Sequence, residues 1–93
     1  MSTDQQTVPP RHYSREQLAK LLEVSSKVEC ECPNHLAGIV AGLVAFEDYA
    51  ANCENLNEAD RELHAFLHAE TAGARHIMEK ALVHLVEIEG IQI

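Results

Sequence analysis

The last third of the chain carries a long apolar stripe that only a helix can place on one side. Its members step by mostly three and four residues, as coiled-coil-like packing requires: Leu63, Leu67, Glu70, Ala74, Ile77, Ala81, Leu85 and Ile88. Asn57 is a suitable N-cap, with Asp60 three residues later, and Gly90 stands where a helix-ending glycine belongs. The sequence therefore predicts a helix from just after Asn57 to about Glu89.

Two further helices are predicted upstream. Ser14 and Gln17 fit a capping box, which predicts a short helix over residues 15–24. Pro33 suits a first helical turn, so a second helix is expected from Pro33 or Asn34 to about Glu54. The apolar face of this second helix is expected to contain Leu36, Ile39, Val40, Leu43, Phe46 and Ala50.

The predicted fold class is all-α: a short helix plus a long antiparallel helical hairpin, with the bundle completed by self-association. Residues 1–12 are expected to form a flexible N-terminal arm and residues 13–93 a single helical domain. The third helix, at about 48 Å, would be longer than the second, at about 31 Å. Its C-terminal part would extend past the hairpin, where the first helix could cover it. Apolar surface that remains uncovered should face a second copy, which predicts a homodimer.

Composition and charge restrict the possible partners. Fifteen acidic residues against seven basic ones give a net charge of −8, which disfavours direct binding to nucleic acid or to an anionic membrane. The N-terminus lacks the apolar core of a signal peptide, and no apolar run is long enough for a membrane span. We therefore expect a cytoplasmic protein whose three cysteines serve as thiols or metal ligands rather than in disulfides. Cys53 is expected to be a small core residue.

The first candidate site is a metal cluster in the connector before the second helix. A hairpin that is symmetric about residue 56 pairs residues whose numbers sum to about 112, which places His35 near His76. Two thiolates and two imidazoles form a tetrahedral zinc set: Cys30, Cys32, His35 and His76. The spacing lacks the Cys-x-x-Cys knuckle of specific zinc motifs. Redox chemistry of Cys32 at a helix N-terminus, a haem-responsive Cys-Pro pair and a purely incidental cluster stay open as alternatives.

The second candidate site lies in the middle of the hairpin. His64 and His68 share one helix face, and the same symmetry places Glu47 beside them. A mixed site of this kind could hold iron, manganese or zinc, with the ligands Glu47, His64, His68 and Glu70. The paired Glu-x-x-His signature of di-iron bundles is absent. The alternative is two solvated histidines and a carboxylate that is salt-bridged to Arg75 or Arg61.

Several segments resemble a helical region of some proteobacterial MerR-type transcriptional regulators. They are Tyr13–Ala19, the run from Val28 through Cys-Glu-Cys-Pro-Asn-His to Leu36, Phe46–Tyr49, Leu63–His68 and Ala81–Gly90. In those regulators the region accompanies a winged DNA-binding domain and often a cobalamin-binding-like domain. The resemblance spans residues 12–91, and the chain departs from those regulators in having no helix-turn-helix. It implies an accessory module with a regulatory or assembly role, without direct promoter binding.

Three functions are compatible with these features. The first is a homodimeric regulatory module that senses metal or redox state through Cys30, Cys32 and His35, with zinc or iron as the candidate metal and a protein as partner. The second is a dimerisation module without any ligand. The third is a metal-dependent catalytic bundle using Glu47, His64, His68 and Glu70. Because no nucleophile stands in a recognisable triad and no pair of carboxylates is marked as acid and base, an ordinary metal-free enzyme is disfavoured.

Overall fold

The computed structural model describes residues 8–24 and 31–93, and this part of the chain contains three helices and no strand. Helix α1 spans Arg15–Glu23, α2 spans Cys32–Asn52 and α3 spans Glu58–Glu89. Residues 1–7 of the predicted arm, together with Cys30, lie outside the described residues. The all-α prediction is confirmed for the described chain. No described helix has the length and apolar character needed to cross a membrane.

The helix ends follow from local capping chemistry. The Ser14 hydroxyl accepts a hydrogen bond from the Gln17 amide, and the Gln17 side chain accepts one from the Ser14 amide, so the predicted capping box is present. The Asn57 side chain accepts a 2.8 Å hydrogen bond from the Asp60 amide at the start of α3. Gly90 ends α3 with φ of 65°, a left-handed conformation that costs glycine little. These ends agree with the sequence because capping needs only neighbouring residues.

Helix α2 packs against both of the other helices. The core joins Leu18 and Leu21 of α1, Val40 and Val44 of α2, and Leu82 of α3. The protein is elongated, with extents of 50 × 23 × 18 Å. The longest extent matches the roughly 48 Å expected for the 32 residues of α3.

The register between α2 and α3 differs from the symmetric one that the sequence suggested. Glu47 is hydrogen-bonded to Arg75, whereas symmetry about residue 56 pairs Glu47 with residue 65. Residues 53–57 are not helical: Cys53 and Asn57 have extended backbone angles, and residues 56 and 57 form a bend. The first turns of α3 consequently lie largely exposed, and only Asp60 and His64 are half-buried among residues 58–66. The uncovered part of α3 is therefore its N-terminal end, not the C-terminal end that we expected.

The buried faces of α2 and α3 also differ from the predicted apolar faces. In α2, Ile39 and Phe46 are exposed, and the buried positions are Pro33, Ala37, Val40, Val44, Glu47 and Ala50. In α3 most of the predicted stripe is exposed, and the buried positions are Ala72, Arg75, Glu79 and Leu82. The long side chains of Arg75 and Glu47 meet between the two helices. Hydrophobic periodicity misses such a face because charged residues occupy part of it.

Asn34 joins the start of α2 to the end of α1. Its side-chain amide lies 3.0 Å from the carbonyl oxygens of Leu21 and Leu22 and 2.9 Å from that of Val24. The last carbonyls of a helix have no partner within the helix. Asn34 therefore caps α1 from a different helix and connects the two sides of the segment 25–30.

We predict that Asn34→Asp lowers the free energy of unfolding by about 1–3 kcal/mol, because a carboxylate cannot donate to these three carbonyl oxygens. Asn52→Asp is the matched control: the Asn52 amide donates only to the exposed Asp48 carbonyl within α2. That change should cost below about 1 kcal/mol. Urea unfolding followed by circular dichroism gives both values, and equal losses would contradict the assigned role of Asn34.

Candidate functional site

The predicted zinc set is only partly within the described structure. Cys32 is the first residue of α2 and is exposed. His35 is also exposed, with its Nε2 atom 3.5 Å from a Glu31 carboxylate oxygen one turn earlier. His76 is half-buried on α3. The cluster as a whole stays a prediction, because Cys30 lies outside the described residues.

The second predicted metal set is not assembled by the fold. Glu47 is buried and bonded to Arg75, which lies seven residues after His68, or roughly 10 Å along α3. His64 Nδ1 lies 2.6 Å from the Asn55 side-chain oxygen, and Glu70 is exposed. Within residues 8–24 and 31–93, no three His, Cys, Asp or Glu side chains form a group that could hold a metal ion. The register of α2 on α3 is the reason, because it places Glu47 against Arg75.

Arg75 forms a buried ion cluster with two glutamates. Its side chain is 0% exposed. Its Nε and Nη2 atoms donate to the two oxygens of Glu47 at 2.9 and 3.1 Å, and Nη1 donates to Glu79 at 2.9 Å. The remaining donors reach the carbonyls of Pro9 at 2.6 Å and Pro10 at 3.1 Å. All five N–H groups of the guanidinium therefore have acceptors, and its hydrogen bonds with the carboxylates raise the pKa of Arg75.

The segment before α1 completes this cluster. Glu79 accepts hydrogen bonds from the amides of His12 at 3.0 Å and Tyr13 at 3.3 Å. Tyr13 is buried, and its pKa is raised first by burial and then by the nearby negative charge of Glu79. Residues 9–12 belong to the segment that the sequence predicts to be a flexible arm. Their main-chain groups form hydrogen bonds with the Arg75 guanidinium and the Glu79 carboxylate. Proline has no amide hydrogen of its own, so Pro9 and Pro10 add acceptors without adding donors that need partners.

Arg11 and Arg15 attach the same segment to the surface of α2. Both guanidinium groups reach Asp48, at 2.8 and 2.7 Å. These hydrogen bonds hold the pKa of Asp48 below its usual value of 3.8. Arg11 also lies 3.6 Å from Glu47 and so brings a second positive charge toward the two buried carboxylates. Residues 9–15 are therefore held to the helices by main-chain and side-chain contacts together.

The outer face of α3 is a long, mostly apolar surface that is exposed. We define it by the positions at alternating three- and four-residue spacing opposite the buried side of the helix: Leu63, Leu67, Glu70, Ala74, Ile77, Ala81, His84 and Ile88. Ile77 is 62% exposed and Ile88 is 72% exposed. Leu67 is half-buried, and the other members are exposed. A mostly apolar face of this length commonly marks an interaction site.

Additional apolar surface lies on α1 and α2. Ile39, Phe46 and Tyr49 of α2 are exposed, and the Phe46 and Tyr49 rings lie 6.1 Å apart. A shallow apolar groove of about 300 Å³ runs between α1 and α2 and is lined by Arg15, Leu18, Ala19, Leu22, Ala41, Val44 and Ala45. Cys53, which we expected in the core, is half-buried. Binding surfaces rather than an enclosed cleft are the main sites that the described chain offers.

Comparison with known proteins adds no family: neither a protein-family model, nor a curated protein, nor a solved structure matches this chain. The candidate sites therefore depend on the residues and on the geometry described above.

We predict that Arg75→Met lowers the free energy of unfolding by about 3–5 kcal/mol, because it leaves Glu47 and Glu79 buried without their partner. Arg61→Met is the matched control, since Arg61 lies on the same helix with its side chain 63% exposed and pairs only loosely with Glu58 at 3.6 Å. The control should change stability by less than about 0.5 kcal/mol. Urea denaturation measures both, and a loss for Arg75→Met as small as the control's would contradict a structural role for the cluster.

Proposed function

We propose that this chain is a self-associating helical module: α2 and α3 form an antiparallel hairpin, and a second copy completes the bundle. The observation that carries this proposal is the exposure of the outer face of α3, where Ile77 and Ile88 are mostly open to solvent. A predominantly apolar stripe at coiled-coil spacing is stable in water when another helix covers it.

The small size of the chain and its exposed apolar side chains both favour self-association. A domain of this length buries only about 60–65% of the surface of its unfolded chain, so association adds substantially to its stability. Covering a fully exposed Leu or Ile side chain is worth about 1.5–3 kcal/mol, and the outer face offers several that are more than half exposed. Polar residues occupy part of the core, which leaves much of the apolar content on the outside. Self-association therefore buries apolar surface that stays exposed in the single chain.

A regulatory or assembly role is the context that we propose for this module. The resemblance of residues 12–91 to the helical region of MerR-type regulators supports this role. The net charge of −8 favours a protein partner over nucleic acid. The catalytic alternative is weakened because both oxygens of Glu47 are hydrogen-bonded to Arg75. We propose that the module acts by binding rather than by catalysis.

We predict that the protein sediments as a dimer of twice the 10.3 kDa chain mass, and that Ile77→Glu weakens dimerisation at least about tenfold by placing a charge in the interface. Leu56→Glu adds the same charge at a residue that is 79% exposed in the connector, and it should leave the dissociation constant within about threefold. Sedimentation velocity over a concentration series, with circular dichroism to verify folding, measures both. A wild-type protein that stays monomeric at high concentration would refute the proposal.

A second proposed function is sensing of metal or redox state by the start of α2. The observation that favours it is the exposure of Cys32 and His35 on the first turn of the helix, where solutes reach both side chains. Cys30 precedes them by two and five residues in sequence. Thiolate and imidazole together suit zinc or iron, and a thiol near a helix N-terminus is favoured for redox chemistry.

For this second function we predict about one zinc or iron per chain in protein purified without a histidine tag. The metal should be lost in the Cys30→Ser/Cys32→Ser variant, because the thiolates are its strongest ligands. Cys53→Ser is the control, since Cys53 lies at the other end of α2, and it should keep the metal. Elemental mass spectrometry and thiol titration are the measurements. A metal-free protein with three titratable thiols, whose double variant assembles like the wild type, would contradict the sensing function. The protein would then be an interaction module without a ligand.

A further inference from the structure

We infer that the second copy packs antiparallel along the outer face of α3, with the two-fold axis between Ala74 and Ile77. This inference rests on the proposed self-association and specifies which surface pairs with which. The outer face runs from Leu63 to Ile88, about 38 Å along the helix. Large aliphatic residues, Leu63 and Ile88, stand at its two ends. The small Ala74 and the larger Ile77 stand at its middle. A helix pair that is centred on this middle therefore covers the entire face.

The side-chain sizes of this face complement one another about its midpoint. An antiparallel pair centred there places Ala74 against Ile77 of the partner and Leu63 against Ile88 of the partner, and the reciprocal contacts follow from symmetry. Each small residue then meets a larger one, an arrangement that favours close packing. A parallel pair in register would instead place Ala74 against Ala74 and Ile77 against Ile77, and would leave the interface alternately loose and crowded.

The charges on this face give a second, independent argument. Glu70 is an exposed carboxylate within a mostly apolar face, and Lys80 is exposed at its edge. In the antiparallel arrangement Lys80 of the partner lies within about one residue rise, roughly 1.5 Å, of the axial level of Glu70. Symmetry makes two such Glu–Lys pairs. A parallel arrangement would place two Glu70 carboxylates side by side, which like-charge repulsion disfavours.

The test uses the wild-type protein and a carbodiimide, which couples a lysine directly to a carboxylate with no spacer. Within one chain Glu70 and Lys80 are ten residues apart on α3, about 15 Å, and cannot be joined directly. A mixture of ¹⁴N- and ¹⁵N-labelled protein is cross-linked, and the dimer band is digested and analysed by mass spectrometry. We expect a Glu70–Lys80 cross-linked peptide in which one half carries ¹⁴N and the other carries ¹⁵N.

The outcomes separate this inference from the proposed function. A dimer band without the mixed-isotope Glu70–Lys80 peptide overturns the antiparallel pairing and leaves self-association intact. Protein that stays monomeric in sedimentation overturns both. The mixed-isotope peptide supports both.

A charge exchange provides a test that does not depend on cross-linking yield. Glu70→Lys alone and Lys80→Glu alone should each weaken dimerisation by about tenfold, because both symmetric pairs change from attraction to repulsion. The double variant Glu70→Lys/Lys80→Glu restores opposite charges and should return the dissociation constant to within about threefold of wild type. A double variant that is as weak as the single variants would overturn the pairing.

Discussion

The arrangement of this protein depends on one buried guanidinium. Arg75 has an acceptor for each of its donors, and these acceptors come from α2, from α3 and from the segment before α1. A buried cation is tolerated only when it is paired and fully hydrogen-bonded, so the three parts of the chain must meet at one place. Glu47 thereby sets the register of α2 on α3. Glu79 holds the amides of His12 and Tyr13, which brings the start of α1 to the same point.

This cluster determines which surfaces stay open. Since Arg75 and Glu79 face inward, the residues on the opposite side of α3, including Ile77 and Ile88, face solvent. The same holds for α2, where small residues and Glu47 lie inside and Phe46 lies outside. The buried ion cluster and the exposed apolar face are two consequences of the same rotation of α3 about its axis. The proposed assembly follows from that choice, because the apolar face that is not used within the chain is available to a second copy.

The helices could be predicted from local capping and periodicity. The buried face of each helix and the register between α2 and α3 could not. The ends of α3 at Asn57 and Gly90 depend on neighbours within a few residues, and they agree with the structure. The predicted register was wrong because a turn that is symmetric about residue 56 assumes a tight connection, whereas five non-helical residues, 53–57, separate α2 from α3. Glu47 is instead bonded to Arg75, and among the described residues it forms no group of potential ligands with His64 and His68. The sequence allows a salt bridge between Arg75 and a carboxylate. Residue spacing alone does not show that this carboxylate is Glu47 or that it is buried.

The sequence by itself determined that this chain is helical, where the helices end to within one or two residues, and that α3 carries a long stripe of apolar positions. These properties depend on capping residues and on a repeat of three and four positions, both of which are local. Only the tertiary structure decided which face of α3 is buried. Apolar burial favours the face with Ile77, while the ion cluster favours the face with Arg75, and both are compatible with the same periodicity. The choice depends on acceptors at Pro9, Pro10 and Glu47, which lie far away in sequence and come together only in the folded chain.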